Sequence, residues 1–553
     1  MVYHGFNVSC HDSAVFSIFI TISLIPLFSK LSVRLHAMDI PDRRKVHERS
    51  MPRLGGLAMA LGVLTTALIL LPKNGFVNAF LIGSGVIVIF GLMDDLIGLR
   101  YKSKFAGQII GALIVIFYGK VRIVTLGTLV PSSLCLSDWS SYLLTVLVIV
   151  GVTNAINLSD GLDGLAGGVC LLTFSCIGYL AYKEGMFAIL FLAISMAGVI
   201  FGFLRFNTYP ATIFMGDAGS QLLGFSGIVL AIKLTQESFS LSPVLPLILF
   251  GFPILDTLSV MSQRIVEGRS PFVADKNHFH HKLIRLGFFH TEAVVFIYII
   301  QSLLITSAFF FRSSSDRSLL MGYAIFSAII SAAFFFAERS GFKIKRYDLI
   351  DKVFKGKLKV LKERGILIRS CFLAVRLGLP ALVLFTAFIP STIPRHFSFL
   401  AVLFVILIAS SYIFKKAWLG STVRFTVYFT IPFLVYLSER NAAAWMTHQY
   451  TLIYDLSFLV LAFFVISTLK FTRRQKGFKV SSMDFLILFI VLIVPILPDQ
   501  RIQGYHLGML ASKIIVLFFS YEVLIGELRG KLAGLSLAVL ATFSVIALRG
   551  LFM

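Results

Sequence analysis

The sequence predicts an all-α polytopic membrane protein, and three observations carry that prediction. Apolar residues fill 57% of the 553 positions, mean hydropathy is +0.89, and only 14% of residues are charged. No soluble domain hides that much apolar surface. The apolar runs are long and continuous, whereas an outer-membrane barrel would show short alternating strands. Loops rich in Lys and Arg alternate with loops that lack them, as the positive-inside rule requires of a multi-pass chain. The formal net charge of +23 therefore reads as basic loops facing anionic lipid, and no nucleic-acid partner is expected.

Taken in order, the runs of spanning length are Ala14–Leu31, Leu54–Leu71, Phe76–Leu92, Phe105–Tyr118, Tyr142–Ala155, Leu165–Tyr182, Met186–Leu204, Ser220–Ile232, Val244–Met261, Ala293–Phe311 and Leu319–Ala337. That makes about eleven helices. The opening residues Met1–Asp12 lack a basic n-region and a small-residue cleavage site, so Val15–Phe28 reads as a retained first span. Basic side chains crowd Asp39–Arg53, Arg100–Lys104 and Gln263–Leu286, while Pro72–Gly75 and Lys183–Gly185 carry few. An outside N-terminus places nearly every basic loop on the cytoplasmic side. The stretch Gly341–Arg369 holds ten Lys and Arg residues and reads as a polybasic cytoplasmic linker against anionic headgroups. Beyond it, Cys371–Met553 offers roughly seven more spans, with almost no carboxylates inside them and no clustered polar signature. The five cysteines (Cys10, Cys135, Cys170, Cys176 and Cys371) show no CxxC spacing and read as small buried hydrophobes.

Five polar stretches fall on the cytoplasmic ends of the first-half spans. The first, from Asp39 through Asp42, Arg44, Lys45 and His47 to Arg53 and Gly56, reads either as a topology-setting loop or as an anion site at a cavity mouth. The second, Gly91–Lys104, carries the adjacent pair Asp94 and Asp95 followed by Arg100, Lys102 and Lys104. Neighbouring carboxylates repel and need a cation or a basic partner. Mg²⁺ held by one or two carboxylates beside substrate phosphates answers that need, as does a simple ion pair with the following basic residues.

The third stretch, Asn154–Gly168, sets Asn154, Asn157, Asp160 and Asp163 between two apolar runs, interleaved with glycines. Charge at a membrane boundary is costly and points to function; the plain alternative is Asx capping of the next helix. In the fourth, Arg205–Gln221, Asp217 sits beside Gly216 before an apolar run, as an N-cap or as a metal ligand facing Asp94 and Asp95. Phe214 offers a face for a base, and Arg205 and Asn207 are donors suited to phosphate or ribose. The fifth joins Pro253–Asp256 to Arg264–His281 as the longest loop of the first half, ending in His278, His280, His281 and Lys282. Without cysteines, and with two adjacent histidines, it suits phosphate better than zinc. No nucleophile elbow, Walker lysine or dinucleotide fingerprint occurs. Carboxylates for Mg²⁺ with basic groups for phosphates are the parts of phosphoryl transfer, and the acceptor met at this face would be a lipid phosphate.

These stretches, in this order and over about residues 10–340, resemble the polyprenyl-phosphate N-acetylhexosamine-1-phosphate transferase superfamily of bacteria (glycosyltransferase family 4 type). GLMDDLIGL, NAINLSDGLDGLAGG, NTYPATIFMGDAGS and HFHHKL carry the resemblance. It implies transfer of a sugar-1-phosphate from a UDP-N-acetylhexosamine to undecaprenyl phosphate, releasing UMP, with Mg²⁺ or Mn²⁺. By motif, Asp94 would deprotonate the lipid phosphate, and Asp217 would be the principal metal ligand with Asp95 assisting. Asn157, Asp160 and Asp163 would line the nucleotide site, with Phe214 stacking on uracil, and Asn154, Arg205 and Asn207 would bind substrate. His278, His280 and His281 would help bind the pyrophosphate or the transition state, the latter two as catalytic residues, and Lys104, Arg44 and Lys45 would bind substrate. The basic loop and HFHHKL look like the branch that uses UDP-GlcNAc to start O-antigen, enterobacterial-type or teichoic polymers. The resemblance implies a multi-pass protein of the bacterial inner membrane with a cytoplasmic active site, a transferase domain at 1–340, and an extension it does not explain. A homodimer is a further expectation. The rival readings are a 6-deoxy-HexNAc or phospho-MurNAc-pentapeptide donor, and a transporter or lipid flippase.

Overall fold

The computed structural model describes residues 10–40, 50–130, 136–270, 277–344, 366–414, 416–471, 485, 507–528 and 532–552. Arg44 and Lys45 lie outside the described residues, as do Asp42, His47 and Cys135. Twelve helices among the described residues are long and apolar enough to cross a membrane, and the one sheet is a two-residue ladder joining Met38–Asp39 to Met51–Pro52. The chain is an all-α polytopic membrane protein. It divides into two compact units at Lys345/Arg346, with Ser481–Leu486 counted in the first.

The first unit contains α1 (Cys10–Arg34), α2 (Gly55–Leu70), α3 (Gly75–Ile97), α4 (Tyr101–Phe117), α5 (Asp138–Ser159), α6 (Leu165–Lys183), α7 (Phe187–Asn207), α8 (Gly216–Glu237), α9 (Leu245–Leu249), α10 (Gly251–Val266), α11 (Phe279–Arg285), α12 (His290–Phe310) and α13 (Asp316–Arg339). Starts are set locally where a capping residue is available. Asn74 accepts from the Val77 amide to open α3, and Ser137 and Ser315 open α5 and α13 in the same way.

The most buried span, α8, is packed against α3 and α5. The α3–α8 contact depends on a missing side chain. A Cβ on Gly91 would fall 2.5 Å from the Ala218 Cα, so only glycine lets the backbones approach this closely. That approach sets the end of α3, with Asp94 and Asp95, against the start of α8, with Asp217.

Four sequence boundaries are corrected. The third span continues to Ile97, which puts Asp94 and Asp95 on α3 rather than in a loop, and the fifth continues to Ser159, which puts Asn157 on α5. The eighth starts at Gly216, with Met215 as N-cap, so Asp217 lies inside the first turn. Val244–Met261, read as one span, breaks at Phe250 into α9 and α10. Pro253 has no amide to donate to the Leu249 carbonyl. That carbonyl instead accepts from Gln301 Nε2 at 2.8 Å and Thr173 Oγ1 at 3.1 Å, which satisfies it without water. Because α10 then runs to Val266, Pro253–Asp256 and Arg264 are helical, and the expected long loop is shorter than its sequence suggested.

The second unit contains α14 (Ile366–Phe388), α15 (Arg395–Phe414), α16 (Lys416–Arg440), α17 (His448–Phe471), α18 (Leu507–Leu528) and α19 (Ala533–Phe552). Its core is aliphatic and aromatic, with Val375, Leu379, Ile408, Val423, Leu517 and Ile546 fully buried. The expectation of no clustered polar signature here is overturned. Lys513, 3% exposed, pairs with Glu439 and with Asp455 at 2.5 Å, and its ammonium lies 4.4 Å from the centre of the Tyr454 ring. A second pair, Arg424 with Glu522 at 3.3 Å, is joined by the Tyr428 hydroxyl.

Candidate active site

Antiparallel neighbours bring the ends of α3, α5 and α7 and the starts of α4, α6 and α8 to one edge of the first unit. At its centre Lys104 Nζ lies 2.5 Å from Asp94 Oδ2 and 3.1 Å from Asp217 Oδ2. The other Asp94 oxygen accepts the Leu99 amide at 2.7 Å and closes the chain over the end of α3. Asp95 is fully enclosed. Its two oxygens accept the Asp217 and Ala218 amides at 2.9 and 3.1 Å, while Arg53 Nε lies 3.8 Å away and 3.4 Å from Asp39. Met215 supplies no side-chain cap, so a carboxylate from another helix caps α8 in its place.

This corrects the role given to Asp95. With both oxygens committed to backbone amides it is placed to anchor α8, and the two carboxylates that converge on one point are Asp94 and Asp217. Four aspartates share this cluster with two cations, so it carries an excess of negative charge when ionised. Among the described residues no three His, Cys, Asp or Glu side chains form a closed metal site. Mg²⁺ needs no such cage, because it is bound through one or two carboxylates, its own waters and substrate phosphates. The pair Asp94–Asp217 fits that habit.

The loop between α5 and α6 lies beside this cluster. Asp160 is half-buried, and its carboxyl is pushed up to about 7 by burial and then by the charges of Asp217 and Asp163. Asn157 Oδ1 accepts the Ser220 hydroxyl at 2.7 Å, which ties α5 to α8. Asp163 accepts the Ala211 amide at 2.9 Å, and its own amide donates to His290 Nε2 at 3.2 Å. The His290 ring stacks on Tyr209 with centroids 4.5 Å apart. The Tyr298 hydroxyl donates to the Gly164 carbonyl at 2.6 Å.

Two residues expected to bind substrate have their amide groups hydrogen-bonded within the protein. Asn207, 2% exposed, accepts the Gly164 amide and donates to the Ile213 carbonyl, so it staples two loops together. Asn154 donates to Gln108 and to the Val150 carbonyl, within a carboxamide network that includes Gln221. Arg205 is exposed and Phe214 half-buried. The backbone of Phe214 bonds to Pro52 and Gly55, holding the α7–α8 loop against the start of α2.

His278 stands at the N-cap position of α11, which carries His280 and His281. Asp256, from α10, lies 2.9 Å from His278 Nδ1 and accepts the Phe279 amide at 2.7 Å. Phe279 stacks on Phe334 at 4.4 Å, and Lys282 and Arg285 both pair with Glu338. His280 is 3% exposed, and burial pushes its imidazole down to about 3, so near neutrality it is an uncharged hydrogen-bonding ring. The help with the pyrophosphate expected of it would come from a neutral ring. A Cβ on Gly161 would fall 2.2 Å from His280 Nε2, so glycine is what admits the ring beside Asp160. His281 is half-buried, its ring 4.2 Å from that of His280.

A family profile, Glycosyl transferase family 4, matches residues 77–235, which span α3 to α8. A Bacillus subtilis (strain 168) protein named probable undecaprenyl-phosphate N-acetylglucosaminyl 1-phosphate transferase is 36% identical over 308 residues, covering 54% of this chain and 84% of the relative. The chain belongs to the polyprenyl-phosphate N-acetylhexosamine-1-phosphate transferase family. Further members similar to this transferase are the decaprenyl-phosphate N-acetylglucosaminephosphotransferase of Mycobacterium leprae (strain TN), 37% identical over 54% of this chain and 83% of its own length, and the undecaprenyl-phosphate alpha-N-acetylglucosaminyl 1-phosphate transferase of Escherichia coli (strain K12), 30% identical over the same shares.

Sequence reasoning passed over Gln108, Tyr298 and His290, and gave Asp256 and Gln221 no role of their own within the stretches that contain them. Gln108 and Tyr298 lie inside apolar runs, where a single polar residue carries no local pattern. His290 opens a span and reads as an ordinary interfacial residue.

Proposed function

We propose that the chain transfers N-acetylglucosamine-1-phosphate from UDP-N-acetylglucosamine to undecaprenyl phosphate at the cytoplasmic face of the bacterial inner membrane, as the first step in building a cell-surface polysaccharide. The observation that carries this reading is the convergence of Asp94, Asp217 and Lys104 at one membrane edge, in a chain whose relatives are named for this chemistry. An oxygen of the lipid phosphate attacks the sugar-bearing phosphorus of the donor. The bond to the bridging oxygen breaks, UMP leaves with the electron pair, and a lipid-linked diphosphate sugar remains.

Asp94 accepts the proton when the lipid phosphate arrives as its monoanion. Lys104 offers an ammonium to the phosphate oxygens as charge shifts toward the leaving group. Asp160 and Asp163 face the nucleotide from a loop pinned by Ala211 and Tyr298, and Phe214 gives the base a flat partner. His281 hydrogen-bonds phosphate oxygens, and His278 hydrogen-bonds the donor substrate beside it. Asp94 and Asp217 would hold Mg²⁺ or Mn²⁺, which when bound neutralises phosphate charge.

The test is UMP release by the purified full-length protein with undecaprenyl phosphate, Mg²⁺ and each UDP-sugar in turn. Release with UDP-GlcNAc above other donors is expected. Folded protein that releases UMP from no donor would overturn the reading.

A further inference from the structure

Asp256 is 2% exposed and lies six residues into α10, and its two oxygens divide their work. One accepts the Phe279 amide at 2.7 Å, which fastens the start of α11. The other lies 2.9 Å from His278 Nδ1, on a ring that is itself 6% exposed. A helix start needs only the first of these bonds. The second has a chemical consequence, because a carboxylate beside Nδ1 keeps the proton on that nitrogen and leaves Nε2 with its lone pair. The His278 ring lies nearly parallel to that of His280, 5.8 Å away, and His280 packs on Gly161 between Asp160 and Asp163. The orientation of His278 is thereby tied to the nucleotide loop.

We propose that Asp256 is a positioning residue of the transfer reaction, one that acts by fixing the tautomer and orientation of His278, so that Nε2 accepts a hydrogen bond from a hydroxyl of the donor substrate. The proposal rests on the reading of His278 as a substrate-binding residue. Asp256→Asn is the informative change. Its amide oxygen still accepts the Phe279 amide, so α11 stays anchored, but its NH₂ group donates to Nδ1 and moves the ring proton to Nε2. The substrate then meets a donor where an acceptor stood.

The experiment uses the full-length protein, measuring UMP release from UDP-GlcNAc for the wild type, D256N, H278Q and the double variant. Separate ¹⁵N-histidine spectra report the His278 tautomer, with H278Q assigning its signals. In D256N kcat is expected to fall about 10²-fold, the scale of one lost preorganised hydrogen bond in the transition state, while KM for the donor stays within about threefold. The double variant should lose no more than H278Q alone. The spectra should show Nδ1 protonated in the wild type and Nε2 protonated in D256N.

Full activity in D256N would overturn the proposal, as would a second 10²-fold loss on adding D256N to H278Q, or a wild-type ring protonated on Nε2. The spectra need no donor. If the wild type releases no UMP, the functional reading fails while the tautomer assignment is still decided.

Discussion

Two lysines in this chain are each held between two carboxylates, one in each unit, and the surroundings decide what each can do. Lys104 stands between Asp94 and Asp217 with 31% of its side chain exposed, at the first turn of α8. Lys513 stands between Glu439 and Asp455 at 3% exposure, roofed by the Tyr454 ring, whose hydroxyl bonds to Thr386. An ammonium that water reaches can exchange carboxylate oxygens for phosphate oxygens at small cost, because solvent screens the intermediate states. A sealed one cannot, since removing either partner leaves an uncompensated charge in a low-dielectric interior. On the proposed function, the same triad of groups is therefore a reactive site in one unit and a structural fastening in the other.

The sharpest way to break this comparison is Asp217→Asn. On the proposed function it should lower UMP release by about 10²–10³-fold while leaving the folded yield unchanged, and undiminished turnover would remove Asp217 from the chemistry. Exchanging the lysines comes next. Lys104→Met should cost activity and some stability as well, because Asp94 and Asp217 expose only 6% and 15% of their side chains and lose their shared cation. Lys513→Met should cost about 3–5 kcal/mol of stability, read as a lower unfolding temperature, while UMP release per folded molecule is retained. Reversed outcomes would mean that exposure does not separate the two sites.

Asp160 supplies a pH test. Its carboxyl, pushed up to about 7, holds a proton in the folded chain at pH values where the unfolded chain has released it. Folding stability therefore falls as pH rises from about 4 to about 7 and levels off above that. Asp160→Asn should flatten this slope in melting curves taken across that range; an unchanged slope would deny the shift. The smallest expected effect is Tyr298→Phe, which removes one of two hydrogen bonds to the Gly164 carbonyl and leaves that from the Gly168 amide. It should cost about 1 kcal/mol and raise KM for the donor a few-fold with kcat nearly kept.

The membrane class, the order of the spans and the clustering of polar motifs at span ends were legible because each is written in contiguous residues. An apolar run of spanning length, or three histidines within four positions, needs no partner to be recognised. Ligand assignments were less legible. Asn154 and Asn207 look like substrate donors in sequence, yet their amides are used up by Gln108 and by the Gly164 and Ile213 backbone. Asp95 adjoins Asp94 and differs in role because helix geometry turns it toward the α8 amides.

The one-dimensional pattern decided that this chain is a helical membrane protein with acidic and basic groups gathered at helix ends, since hydropathy and local charge density follow directly from composition. Tertiary packing alone decided which carboxylates converge, which amide caps which helix, where Pro253 breaks a span, and that Glu439, Asp455 and Lys513 meet. Those outcomes depend on side chains tens to more than a hundred residues apart, and burial makes each unpaired polar group so costly that the fold must bring its partner to it.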